Sequence, residues 1–381
     1  MNLESKVRGC LLGLAVGDAI GSRVEMRTAD QIAELGGISG HGPYAGRFKG
    51  AGRGAGLWTD DTAMSLDVAR SLVERRLVDP EDVAQRHVAT FLRFAGAGYG
   101  RSTREALERI KRGVPWREAG QEAGPNTGLG NGIPMRLAPL GCWFAVNRPT
   151  LRDVGAAQEL ARAARDLGMI THRHARAQIA GLLQAYLVQR AVLTDRLDPD
   201  AILAELGRWA RVHEAAWCDD PASPDSIGSR LEQVRLIRAN GGRLSEVLAL
   251  GVGCVVHESW PTSVGIALAR VQSPCGGAGD LTAGILDAVN AGGDTDTNAS
   301  MVGAILGALY GEEAIPADWL EGLQEATEIR DLASMLAVPV DESSWTGQRC
   351  SVCRRPQFRT SCGWTCPDGH GGADPLEDVA R

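Results

Sequence analysis

Two short runs of oxygen-bearing side chains dominate the chemistry this sequence can support. The first is Trp58-Thr59-Asp60-Asp61-Thr62. The second is Gly292-Gly293-Asp294-Thr295-Asp296-Thr297-Asn298. Each stands directly before a stretch with helical spacing. Asp, Thr and Asn are favoured helix caps, and acids there complement the helix dipole. One cap needs one such residue, however, and these runs supply several. Crowded carboxylates repel unless a cation neutralises them. Hard oxygen donors without His or Cys select Mg²⁺, Mn²⁺ or Ca²⁺ over zinc. Gly292 and Gly293 would let the backbone turn so that Asp294 and Asp296 face one point. The two runs therefore read as two halves of one divalent-metal site.

Weaker signals accompany them. Gly17-Asp18-Ala19-Ile20-Gly21-Ser22-Arg23-Val24-Glu25 follows the apolar segment Leu11–Val16. Asp18 reads as a buttress of a helix end, and Glu25 as either a surface acid or a member of the site. Gly128-Leu129-Gly130-Asn131-Gly132 reads as a turn, or as backbone N–H groups offered to a diphosphate. It is not a dinucleotide fingerprint, since no strand precedes it. His172, in Ile170-Thr171-His172-Arg173-His174, reads as a buried histidine or as a ligand to a ribose or base. Nine glycines between Gly36 and Gly56, with Arg47, Lys49 and Arg53, form a surface loop or a basic lid over an anion.

The elements that must position these groups are helical. Asp61–Arg76 places Met64, Leu66, Val68, Leu72 and Val73 on one side. Asp153–Met169, Ala175–Arg190, Pro199–Ala216, Leu244–His257 and Asp318–Leu336 read as further helices. Pro80 and Pro199 sit where helices begin. Ala299–Tyr310 carries Gly303, Ala304, Gly307 and Ala308, small residues that allow close helix packing. Aromatics make up 5% of 381 residues and alternating β-branched runs are scarce, so the expected fold is all-α over residues 1–337. The composition is 44% hydrophobic and 23% charged, ordinary for a globular chain. Net charge is −7, which disfavours a basic nucleic-acid binder. No apolar run reaches the ~18 residues of a membrane span. Met1–Arg8 lacks a signal-peptide layout, and a cytoplasmic location is expected.

In this order, the segments resemble the ADP-ribosylglycohydrolase family, which includes the dinitrogenase-reductase-activating glycohydrolases. The resemblance runs from Gly9-Cys10-Leu11-Leu12-Gly13 and Gly17-Asp18-Ala19-Ile20-Gly21 through Thr59-Asp60-Asp61-Thr62. It continues through Gly130-Asn131-Gly132 with Met135-Arg136-Ala138-Pro139-Leu140 and Thr171-His172, and ends in Gly292–Thr297 and the helix to Tyr310-Gly311. It covers about residues 5–337 and implies an all-α hydrolase with two Mg²⁺ or Mn²⁺ ions. By that resemblance Thr59, Asp60 and Asp61 ligate from one side and Asp294, Asp296 and Thr297 from the other, with Asp296 as the bridge. Glu25 falls on a flap near the metals, with Glu25, Asp60 and Asp61 the candidate general bases. Gly130, Asn131 and Gly132 fall by the diphosphate or distal ribose, and His172, Tyr99 and Gly100 in the substrate cleft. The partner is an ADP-ribose moiety on a modified protein or small molecule. Arginine is the first expectation for the linkage. Arginine-cleaving bacterial members, however, carry an acid where Gly98-Tyr99-Gly100 stands here, and a serine linkage or a metabolite such as O-acetyl-ADP-ribose stays open. Asp219, Asp220 and Asp225 are the possible substitutes for that acid. A non-catalytic ADP-ribose binder and a metal-dependent nucleotide phosphohydrolase are the competing readings.

The tail lies outside that pattern. Pro339–Gly347 reads as a linker within 338–347. Residues 348–381 carry Cys350, Cys353, Cys362, Cys366 and His370, enough for one structural Zn²⁺ in a zinc-ribbon-like module. The scattered Cys10, Cys142, Cys218, Cys254 and Cys275 read as reduced core thiols.

Overall fold

The computed structural model describes residues 2–46, 54–94, 98–120, 127–149, 154–271 and 277–340, and the backbone of four strands between 345 and 372. The body is helical. At its centre lie helices Leu3–Gly21 and Thr295–Tyr310, buried on nearly every side. A helix that is apolar all round belongs in a protein interior. These two run antiparallel with their backbones touching. A Cβ at Gly9 would lie 2.4 Å from the Gly307 carbonyl oxygen, and one at Gly13 2.4 Å from that of Gly303. At Gly17 it would lie 2.2 Å from the Ala299 oxygen, and at Gly21 2.4 Å from that of Thr295. The small residues expected to permit close packing do so, and a matching four-residue glycine spacing on the first helix completes the seam. The seam fixes the end of one helix (Asp18, Gly21) beside the beginning of the other (Thr295, Asp296).

Around this pair pack helices Asp60–Arg75, Ala138–Asn147, Ala175–Val192, Val256–Ala269, Ala278–Asn290 and Ala326–Leu336. Pro80–Arg93 and Pro199–Trp217 begin at their prolines, capped by Asp79 and Asp198. Val154–Met169 and Ala175–Val192 fall where the spacing predicts helices. Two predicted helices are broken. Leu244–His257 divides into Leu244–Leu248 and the start of Val256–Ala269, because Gly251 takes φ 121° in the link. Asp318–Leu336 divides into Ala317–Glu321 and Ala326–Leu336, with Glu325 left-handed at φ 56°. The apolar repeat continues across both breaks, so periodicity alone does not reveal them.

Beyond the helical body, the tail, expected as a zinc-ribbon-like module, carries four short antiparallel strands. They are Trp345–Arg349, Pro356–Thr360, Gly363–Thr365 and Gly371–Gly372, paired in sequence order. Phe358 pairs with Trp345 and with Thr365. The first strand begins inside the stretch expected as linker. Cys350, Cys353, Cys362, Cys366 and His370 lie outside the described residues, as do residues 47–53 of the glycine-rich loop and Cys275.

Candidate metal centre

The first acidic run sits at the N-terminus of helix Asp60–Arg75, with Thr59 as its cap. The Thr59 hydroxyl accepts from the Asp61 N–H at 3.4 Å. Asp18, wholly buried at the end of the first helix, holds this turn in place. It accepts the Thr59 N–H at 3.0 and 2.9 Å, the Thr62 N–H at 3.0 Å and the Thr62 hydroxyl at 2.6 Å. The second run is placed by the glycine turn. Gly292 and Gly293 adopt φ 77° and 76°, in the left-handed region. The Gly293 N–H donates to Arg27, its carbonyl accepts from Met26, and the Asp294 N–H donates to Val252. Glu25 stands one residue before Met26, which is left-handed at φ 61°.

The fold brings the two runs together. Thr297 donates its hydroxyl to Asp61 Oδ2 at 3.4 Å, across 236 positions of sequence, and Thr59 donates to the same oxygen at 3.3 Å. Carboxylate oxygens of Asp18, Asp61 and Asp296 lie within 4.8 Å of one another. Asp61 Oδ1 is buried without a partner. Asp60, Asp294, Asp296 and Thr297 are buried beside it. Asp18, by contrast, has its oxygens filled by four hydrogen bonds from three donors of Thr59 and Thr62 and is better read as the buttress than as a ligand.

The electrostatics are those of a crowded acid cluster with no ion-pair partner among the described residues. Burial, then Asp18, Glu25 and Asp294, pushes Asp60 up to about 8. Burial, then Asp18, Asp60 and Asp294, holds Asp61 well above the carboxylate range. Asp296 is raised by burial and then by Glu25, Asp294 and Asp61. The charge of Glu25 thus acts on both Asp60 and Asp296. An orphaned buried anionic oxygen inside such a cluster is what a divalent cation would satisfy, so the residues fit the implied metal.

The remaining expected site residues fall into place unevenly. Asn131 gives its side-chain amide to Asp294 Oδ2 at 2.7 Å and to Ser259 at 3.3 Å. Its backbone N–H goes to Cys254. It therefore orients an acid of the cluster, a link the sequence does not suggest. Gly130 and Gly132 lie under His172: a Cβ at Gly132 would come 2.7 Å from His172 Cε1, and one at Gly130 3.2 Å from Nε2. Tyr99 is buried edge-on against Phe91 at 5.1 Å, and burial followed by Asp60 and Asp67 raises its phenol. Gly100 is exposed at the start of helix Arg101–Lys111. Among the possible substitutes for the missing acid, Asp225 is taken by Arg230 at 2.7 Å, and Asp219 and Asp220 are exposed. Asp18 is a buttress, as the sequence suggested, but what it braces is the neighbouring turn at Thr59–Thr62 rather than its own helix end.

A helical body that gathers acids from both ends of the chain into one buried cluster defines a candidate metal-binding hydrolase. The family model of ADP-ribosylglycohydrolase matches residues 1–344, and the chain belongs to that family of glycosyl hydrolases. It is 30% identical to an uncharacterized protein of Archaeoglobus fulgidus, over 88% of this chain and 96% of the other. With ADP-ribosylhydrolase ARH3 of Danio rerio it shares 30% identity over 87% and 90% of the two chains. Among solved structures, an ADP-ribosylglycohydrolase-related protein complex superposes with TM-score 0.60 at 28% identity, covering 88% of this chain and 98% of that one. The chain is thus a hydrolase of ADP-ribose linkages. Among the described residues, no helix is long and apolar enough to cross a membrane.

Proposed function

We propose that the chain removes ADP-ribose from modified protein side chains by directing water to the anomeric ribose carbon at a binuclear Mg²⁺ or Mn²⁺ centre. The observation that carries this reading is the junction of Asp61 with Thr297 and Asp296, around an Asp61 oxygen that no protein group satisfies. Thr59, Asp60, Asp61, Asp294, Asp296 and Thr297 would hold the ions. When bound, such ions orient water and ribose hydroxyls and lower the water's pKa. Glu25, whose charge acts on Asp60 and Asp296, is the carboxylate we assign to receive the water's proton. The C1–O or C1–N bond to the side chain breaks, a C1–OH bond forms, and the proton passes on to the leaving group. Burial of the cluster strengthens each of these interactions. Gly130 and Gly132, with His172 above them, form the floor we assign to the ADP-ribose. Asn131 supports the metal side of that floor through Asp294.

For the leaving group, the segment Gly98-Tyr99-Gly100 carries no carboxylate to pair with a guanidinium. Arginine-linked, serine-linked and acetyl-linked ADP-ribose should therefore be compared after chelation and readdition of Mg²⁺ or Mn²⁺. Metal-dependent release of intact ADP-ribose from at least one of them is expected, with Asp296→Asn inactive on all. Release of AMP would indicate a phosphohydrolase. Binding without turnover would indicate a non-catalytic binder.

A further inference from the structure

Behind the floor of the cleft lies a buried guanidinium that forms no ion pair among the described residues, although the charge of Asp60 reaches it. Arg136 is fully buried, and its two terminal nitrogens donate to neutral oxygens, the Gly132 carbonyl, the Leu167 carbonyl at 3.1 Å and the Thr171 hydroxyl at 2.8 Å, while Nε is buried without a partner among the described residues. The Thr171 hydroxyl in turn lies 2.8 Å from His172 Nδ1. An arginine can only donate, and a hydroxyl has a single proton. The hydroxyl has a second lone pair, but if it accepted Nδ1–H there, its own proton would have no partner among the described residues, at about 1–3 kcal/mol for a buried donor. Having accepted from Arg136, the Thr171 hydroxyl therefore directs that proton at Nδ1. Nδ1 must then be bare, and the ring proton sits on Nε2. The same ring is pressed over the glycines, its Cε1 above Gly132 and its Nε2 above Gly130. Arg136 also pins the Gly132 carbonyl, so one residue sets both the floor and the ring above it.

We propose that Arg136 and Thr171 are positioning residues that lock His172 in the Nε2–H tautomer, so that it offers a neutral donor to an acceptor oxygen of the ligand at Gly130–Gly132. The identity of that ligand rests on reading the cleft as the ADP-ribose site; the relay itself does not. Neutrality has a physical cause, since burial and then the Arg136 charge push His172 down to about 3. The choice of arginine also has a reason. A glutamine at 136 could turn its carbonyl toward Thr171 and reverse the chain, whereas a guanidinium has no acceptor to turn. A ring with its donor fixed in advance binds an acceptor without the cost of selecting a tautomer.

The test is the ring ¹⁵N spectrum of His172 in the intact protein, assigned by difference from His172→Gln, alongside calorimetric titration with ADP-ribose. The wild type should show a protonated Nε2 and a bare Nδ1. Thr171→Val should mix the tautomers and weaken ADP-ribose binding about tenfold, the worth of one hydrogen bond, and Thr171→Ser should restore both. A wild-type ring protonated on Nδ1 would overturn the relay, and so would a Thr171→Val protein unchanged in tautomer and affinity. A wild type with the Nε2 tautomer that nevertheless fails to bind ADP-ribose would uphold the relay and overturn the reading of the cleft.

Discussion

The two acidic helix starts resemble each other in sequence but are assembled differently. Before Asp60–Arg75, Thr59 caps with its hydroxyl and Asp18, from another helix, collects the neighbouring N–H and hydroxyl donors. Before Thr295–Tyr310, Asp294 holds the cap position yet its side chain caps nothing and is held by Asn131 instead. Capping thus accounts for Thr59 in one run; in the other, Asp296 takes one first-turn N–H, that of Thr297 at 3.0 Å, and Asp294 takes none. Asp60, Asp61, Asp294 and Asp296 are the acids that converge. A surplus beyond what a helix terminus needs is the useful signal, more than the presence of acids as such.

Exchanging single carboxylates should break the comparison most visibly. Asp61→Asn should abolish ADP-ribose release, by more than the 10–100-fold typical of groups that merely support a metal ligand. Its melting temperature in chelator should stay level or rise, because a buried repulsive charge is gone. Asp18→Asn should lose activity too, but with a melting temperature several degrees lower. An amide would turn a donor toward groups that are themselves donors, at about 1–3 kcal/mol for each one stranded. Equal stability of Asp18→Asn and wild type would return Asp18 to the ligand set and undo the distinction drawn above.

A smaller effect is expected at Asn131. Asn131→Ala frees Asp294 without removing a donor proposed for the metal, so Mg²⁺ or Mn²⁺ affinity should fall about 10–100-fold with the fold intact. Titration calorimetry on the chelated protein reads this directly, and unchanged affinity would show that the glycine turn alone aims Asp294.

The gentlest probe is pH. Asp60 has a folded-state pKa of about 8, above its ordinary value. The folded chain therefore holds a proton that the unfolded chain releases between roughly pH 4 and 8. Stability from this group is present at low pH and lost as pH rises through about 8. Melting curves in chelator should drift downward over that interval, and saturating Mg²⁺ should flatten them by supplying the missing positive charge. A chelated protein whose stability is level across that range would argue against uncompensated acids.

Much of this was legible in the chain alone, for local reasons. Oxygen donors of the right hardness, their position before helices, the paired glycines at 292–293 and the small residues of 299–310 are short-range features, set by side-chain chemistry and backbone sterics. The breaks at Gly251 and Glu325 were not legible, because the apolar repeat runs through them. Nor was the convergence itself. It depends on helices Leu3–Gly21 and Thr295–Tyr310 sliding into a backbone-to-backbone register that sets Gly21 against Thr295. Only that register brings Asp18 under Thr59 and Thr62, Asp61 to Thr297, and Asn131 to Asp294. These partners lie far apart along the polypeptide, so no local propensity encodes them; close packing in three dimensions chose among acids that the sequence had merely made available.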